Sequence, residues 1–367
     1  MYKIIFFGTS ELAVPSLKLL MEDGRFEIVG VVTQPDRPVG RHATITPPPV
    51  KRFFNSLSKD LPLKGGAEGV GSRGEDPSAD PSTGGRAPHT PTSTANETSV
   101  PVHQPETLKD ESFVSWINSV GPSCDAFVIV SYGKLLPQWL LDLPKRGIVN
   151  VHPSLLPRWR GTSPIQAAIA AGDKMTGVTI MKIDAGMDSG PIIAQAEEEV
   201  LGTDTGTTLH DRLADIGASL LVFALDGYLR GDVEPVEQDD TEVTFCGILS
   251  REDGKIDWSK SAEEIERLVR AYMPWPGTWM EVGGKRVKIF TTTIAPGTTT
   301  LPALPPSLGG RVLSDSNRAP GTRLVLDGLP YVTCGQGGLL QITELQVEGK
   351  ERVSGGDFLR GKSKWEN

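Results

Sequence analysis

Three side chains in this sequence could share one piece of chemistry. Asn150 and His152 lie two residues apart in the run GIVNVHPSLLP (147–157), and Asp188 sits in the glycine-rich turn DAGMDSGP (184–191). Strand side chains alternate between faces, so Ile148, Asn150 and His152 share one face and Val149 and Val151 the other. Pro153 fixes φ and cannot donate to a ladder, so the strand should stop there. Asn150 and His152 then stand about 7 Å apart at the carboxyl end of a strand, where open α/β sheets place ligands. An amide, an imidazole and a carboxylate meeting in one crevice suit acyl transfer. When an amine attacks a carbonyl carbon, negative charge grows on the oxygen. Asn150 can donate to that oxygen, as can a protonated His152, and one such donor is worth about 3–4 kcal/mol in the transition state. Asp188 either orients His152 and raises its pKa, or takes the attacking amine's proton through water.

Each of these residues also has a blander reading. A lone histidine at a strand end is more often structural, and an aspartate among glycines is most simply a turn residue. The combination makes the stronger case, because an amide on the same face as the histidine needs partners for several polar groups. Competing motifs are missing. Gly8-Thr9-Ser10 after the first apolar run resembles the start of a phosphate loop, but neither GxGxxG nor GxxxxGK[ST] follows. Ser154 has no GxSxG elbow around it, and no HxxxH or Cys/His cluster suggests a metal.

Strands are expected at 2–7, 28–33, 126–130 and 148–152, alternating with helices, which predicts an α/β protein with a parallel, doubly wound sheet. Thr9 or Ser10 can cap the first helix, whose apolar positions include Leu12, Leu17, Leu19 and Leu20. A further helix is expected over 49–57. Residues 56–100, rich in Gly, Pro, Ser, Thr and Asp, read as a disordered insertion, with a lid as the other reading. A long helix over 207–229 closes a first domain (1–230), and the acidic stretch 231–246 reads as a linker. From 247 to 367 a helix at 261–272 precedes short strands at 279–282, 287–291, 312–313, 324–326 and 339–345. Their spacing suits a small antiparallel barrel, interrupted by a Pro/Thr-rich loop at 295–309.

The chain of 367 residues, 38% hydrophobic, can fill two cores. Its net charge of -9 argues against a wholesale nucleic-acid binder. The charge is unevenly spread: residues 247–367 carry roughly 16 Lys+Arg against 14 Asp+Glu, so a local basic face on that part stays open. Cys124, Cys246 and Cys334, odd in number and far apart, give neither a disulfide framework nor a metal knuckle. No run is long enough for a membrane span. Met1-Tyr2-Lys3 leads directly into an apolar strand rather than a leader, so a reducing cytoplasm is expected.

The run NVHPSLLPRWRG (150–161), the preceding SYGKLLP (131–137) and the later TGVTIMKIDAGMDSGPI (176–192) resemble the 10-formyltetrahydrofolate-dependent formyltransferases. The opening IIFFGTSELAVPSL, the loop VVTQPDRPVGR and the stretch DGKIDWSKSAEEIERLVRAYMPWPGTW resemble the members that formylate methionyl-tRNA. The resemblance implies a Rossmann-like formyltransferase domain followed by a small C-terminal OB-like barrel that supports tRNA, in a monomer. It implies catalytic positions at Asn150, His152 and Asp188, and folate contact at Ser154, Leu155, Leu156 and Pro157. The formyl donor would be 10-formyltetrahydrofolate with no metal, and the partner would be initiator methionyl-tRNA. One departure stands out. The loop after PDRPVGR, basic in the family, here reads RHATITPPP (41–49), leaving Arg41 as the tRNA-contact candidate beside a plain surface role. Other acceptors for the same site include an amino sugar on a nucleotide, or water in a formyltetrahydrofolate hydrolase. A non-catalytic tRNA-binding protein is a further reading.

Overall fold

The computed structural model describes residues 1–40, 43–60, 100–295, 318–361 and 365. Arg41, most of the expected insertion, nearly all of the loop expected at 295–309 and the strand expected at 312–313 lie outside the described residues.

Apolar runs alternating with amphipathic segments build the first sheet. Its parallel strands are β1 (Tyr2–Gly8) and β2 (Phe26–Val32), then, after a hairpin of β3 (Arg37–Val39) and β4 (Thr44–Thr46), β5 (Val102–His103), β6 (Ala126–Val130) and β7 (Ile148–His152). The short β8 (Arg160–Gly161) leaves the sheet, and β9 (Met175–Lys182) and β10 (Ile192–Glu199) return to it. The order is β10-β9-β7-β6-β1-β2-β5. β9 runs antiparallel to β7 and β10 antiparallel to β9, so the sheet is mixed rather than wholly parallel as expected. Residues 153–174 bring the chain back at the end of the sheet where β7 finished, so β9 must run in reverse.

Helices cover both faces. α1 (Ala13–Glu22) and α6 (Gly206–Arg230) pack Leu17, Leu20, Leu213 and Leu221 against one face, which includes Val149 and Val151. Val50 of α2 (Pro49–Asp60) joins the same core. α3 (Glu111–Val120) and α4 (Gln138–Leu141) pack Phe113, Ile117 and Leu140 on the other, with Ile148. The alternation along β7 is therefore as its sequence dictates, and each such side chain contributes about 1.5–3 kcal/mol on burial. α6 begins in a capping box from Thr205 and ends at Gly231 in the left-handed conformation. The first helix differs: it starts after Leu12 with no side-chain cap. Thr9 Oγ1 instead donates to the Tyr132 carbonyl (3.1 Å) and Ser10 Oγ to Ser131 Oγ (2.8 Å), tying the ends of β1 and β6 together.

Residues 231–246, expected as a linker, end in β11 (Phe245–Cys246), which pairs in parallel with β8. Beyond it, α7 (Ala262–Ala271), capped by Ser261, places Ile265 and Val269 against an antiparallel sheet. The strands are β12 (Thr278–Val282), β13 (Lys285–Ile294), β14 (Arg323–Leu326), β15 (Leu329–Thr333), β16 (Leu339–Val347) and β17 (Arg352–Ser354), in the order β12-β13-β16-β15-β14 with β17 on β16. A short α8 (Gly355–Arg360) and Trp365 close this core. The two cores meet through α5 (Pro164–Ala171) and α7, where Arg267 Nε donates to the Ala170 carbonyl (3.2 Å).

Candidate active site

The site grows from the carboxyl end of β7. His152 is 4% exposed, and its Nε2 lies 3.0 Å from the carbonyl oxygen of Trp159. A carbonyl only accepts, so Nε2 carries the proton. The other ring nitrogen, Nδ1, faces Asp188 Oδ2 across 3.7 Å. Burial pushes the His152 pKa below its ordinary 6.5, outweighing the opposing pulls of the Asp188 carboxylate and the Trp159 carbonyl. The imidazole is therefore neutral at neutral pH, with its unprotonated Nδ1 turned toward Asp188 Oδ2. Of the two oxygen donors considered from the sequence, this favours Asn150 over a protonated His152. Asp188 does act in the expected direction, but desolvation of a ring sealed at the end of the sheet is the larger effect. Two acceptors facing each other in this way make a receptor for one proton.

Both neighbours of His152 are held in uncommon backbone conformations, with φ +63° at Trp159 and +50° at Asp188. Asp188 Oδ2 accepts the Gly161 N–H at 2.8 Å. Gly161 has φ +121°, and a Cβ there would lie 2.0 Å from the Cys246 carbonyl oxygen, so only glycine fits between the two short strands. Elsewhere in the turn, Asp184 accepts from Gly186 N (3.0 Å) and Ser189 Oγ (2.9 Å), which makes Asp184 the turn-forming aspartate and leaves Asp188 facing the histidine.

Asn150 is half-buried on the face of β7 that carries His152, and its side chain makes no hydrogen bond among the described residues. Its amide N–H groups are thus available to an incoming oxygen. Ser154 and Leu156 are buried and brace their own loop. Ser154 Oγ donates to the Arg158 carbonyl (2.6 Å), and Thr179 Oγ1 donates to the Ser154 carbonyl (2.7 Å) while accepting Leu156 N (3.1 Å). Leu155 and Pro157 are half-exposed. The structure thus brings His152 and Asp188 together, with Asn150 on the same strand face as His152 and 154–157 following directly, while Arg41 lies outside the described residues.

Residues that the sequence reading did not single out complete the site. Gln238 Nε2 donates to the Asp188 and Gly190 carbonyls, both at 2.8 Å, and its Oε1 accepts from Arg160 Nε at 3.0 Å. Thr244 Oγ1 accepts Trp159 N at 2.9 Å. Nothing local marks these side chains, which come from a polar stretch far along the chain.

Comparisons with known proteins place the whole chain in one family. The family described as formyl transferase matches residues 2–225, and its C-terminal domain matches residues 248–363. A methionyl-tRNA formyltransferase of Acidobacterium capsulatum is 36% identical over 362 residues, covering 98% of this chain and 97% of the relative. One of Bacillus velezensis is 36% identical over 365 residues, covering 99% and 96%. Among solved structures, an N-formyltransferase from Helicobacter canadensis, in complex with folinic acid and dTDP-3-aminofucose, has a TM-score of 0.58 at 15% identity, covering 93% of this chain and 99% of that one. WlaRD, a sugar 3N-formyl transferase in the presence of dTDP and 5-N-formyl-THF, has a TM-score of 0.59 at 14% identity, covering 96% and 99%. At such identities these two show the fold alone. The chain belongs to the formyl transferases and, among them, to the methionyl-tRNA formyltransferase family.

Proposed function

We infer that this protein transfers a formyl group from 10-formyltetrahydrofolate to the amino group of methionyl initiator tRNA. The observation that carries the substrate is the 36% identity with methionyl-tRNA formyltransferases over 98% of the chain. The geometry around His152 supports the roles. The methionyl amine attacks the formyl carbon, forming a C–N bond while the bond from that carbon to folate N10 breaks. Asn150 donates to the oxygen on which charge develops, an interaction whose removal costs about 10²–10³ in kcat. The proton lost by the amine passes to Nδ1 of His152, and the resulting imidazolium is stabilised by the Asp188 carboxylate 3.7 Å away. The carbonyl of Trp159 holds Nε2–H throughout. Departing N10 then takes the proton back, and the site returns to its neutral state.

The folate lies against 154–157, where Leu155 and Pro157 offer half-exposed side chains and the buried Ser154 and Leu156 hold the loop. Arg41 contacts tRNA. The division is a catalytic domain at 1–230 with its insertion, a connection at 231–246, and a C-terminal OB-like domain at 247–367 that supports tRNA. The protein acts as a cytoplasmic monomer. No helix among the described residues is long and apolar enough to cross a membrane.

The test is to incubate the protein with 10-formyltetrahydrofolate and methionyl initiator tRNA, with uncharged tRNA as control, and to follow N-formylmethionyl-tRNA. Product that depends on both substrates is expected. Formate release without formylated tRNA would replace this reading with a hydrolase.

A further inference from the structure

We propose that Gln238, on the connection between the two cores, is a positioning residue for the His152–Asp188 pair. The stretch 236–246 to which it belongs would then serve as a clamp on the catalytic site. Among the described residues the His152 ring has two polar partners, the Trp159 carbonyl at Nε2 and the Asp188 carboxylate across from Nδ1. Both are gripped from this one stretch. On the Asp188 side, Gln238 Nε2 bridges the Asp188 and Gly190 carbonyls. Val236 and Ile192 exchange backbone hydrogen bonds at 2.8 and 2.7 Å, anchoring the same loop at its far end. On the Trp159 side, Thr244 takes the Trp159 N–H on its hydroxyl and the Arg160 N–H on its carbonyl (2.9 Å each). Gln238 also joins the two grips, because its Oε1 holds the guanidinium of Arg160, a buried side chain that pairs with Asp240 as well.

The grips act where the backbone needs them. Trp159 and Asp188 both have positive φ, an uncommon conformation for residues with a side chain that persists only where neighbours impose it. The Asp188 carboxylate has a single hydrogen bond, from Gly161 N, and no cation beside it among the described residues other than whatever proton His152 carries. Its distance from Nδ1 is therefore set by the backbone of its turn, which Gln238 pins. A glutamine suits this role because its amide donates twice to carbonyls and accepts once from Arg160, which neither an acid nor an apolar side chain of the same length can do. Because the stretch leads directly into the C-terminal core, any strain on that connection reaches the pair by the same bonds.

Given the roles of His152 and Asp188 proposed above, on which this inference rests, the test is a double-mutant cycle in the full-length protein. The variants are Gln238→Met, Asp188→Asn and the pair, with formylation of methionyl-tRNA as the assay. Gln238→Met is expected to lower kcat about 10- to 100-fold, with KM for both substrates changed less than about threefold. It should move the His152 titration, read by ¹⁵N NMR of labelled histidine, to lower pH, because the carboxylate that raises it is less well placed. The double variant should be no slower than Asp188→Asn alone. If Gln238→Met fails to fold, Thr244→Val, which removes the acceptor of the Trp159 N–H, takes its place in a cycle with His152→Ala. Multiplicative losses in the cycle, or an unmoved His152 titration, would overturn the clamp. Wild-type turnover in Asp188→Asn would instead overturn the underlying reading of the pair.

Discussion

Two stretches meet at this site and differ in kind. Residues 148–161 carry Asn150 and His152, the groups proposed to face the reaction, within a single strand. Residues 236–246 supply no reacting group, yet hold the backbone of Trp159 and of Asp188. The first carries its meaning in local spacing, since two polar residues on one face of a strand that ends at proline must emerge together. The second has meaning only through the fold, which lays β11 along β8. On the proposed reading, the site keeps its chemistry on rigid sheet and its precision on a distant segment. Substitutions in the two stretches should therefore fail in different ways.

The sharpest contrast comes from the reacting side chains. His152→Ala is expected to lower kcat by about 10²–10⁴ and Asn150→Ala by about 10²–10³, with circular dichroism and melting temperature nearly unchanged for the half-buried Asn150. If either kept the wild-type rate, the assignment of chemistry to β7 would break. At the junction of the two stretches, Gly161→Ala should damage stability and activity together. The added Cβ meets the Cys246 carbonyl at 2.0 Å and φ is +121°. The close contact alone costs about 1–3 kcal/mol, and urea unfolding would measure it. A variant as stable and active as wild type would show that β8 and β11 are not held this closely.

A smaller effect concerns pH. The unfolded chain binds a proton at His152 near its ordinary 6.5, whereas the folded protein binds it only at lower pH. Between those values the unfolded state holds more protons, so stability is fully present above 6.5 and is lost as pH falls toward the folded pKa. Relative to His152→Gln, the wild type should lose stability on acidification below about pH 6.5. Parallel denaturation curves at each pH would contradict this.

Much of the fold is legible in the sequence, for physical reasons. The apolar runs of β1, β2, β6 and β7 have no other use than a covered sheet. α6 and α7 carry their own caps in Thr205 and Ser261. β9 and β10 are not legible as strands: β9 is buried along nearly its whole length and so lacks alternation, and β10 ends in three glutamates that read as a solvated stretch. Thr9 and Ser10 have the chemistry of caps but find partners across the sheet. At the site, residue type and spacing are enough to mark Asn150, His152 and Asp188 as candidates, and the fold sets His152 and Asp188 3.7 Å apart. The state of His152 is not, because burial is a property of the whole fold. Nor is Gln238, whose three partners lie 48 to 78 residues away in sequence.

The most direct test of the proton-receptor geometry is a ¹⁵N NMR titration of the histidines, with the His152 signals assigned by their loss in His152→Ala. A neutral ring with its proton on Nε2 at neutral pH, titrating below 6.5, is the expected result. A proton on Nδ1 at neutral pH, or a titration at or above 6.5, would contradict it.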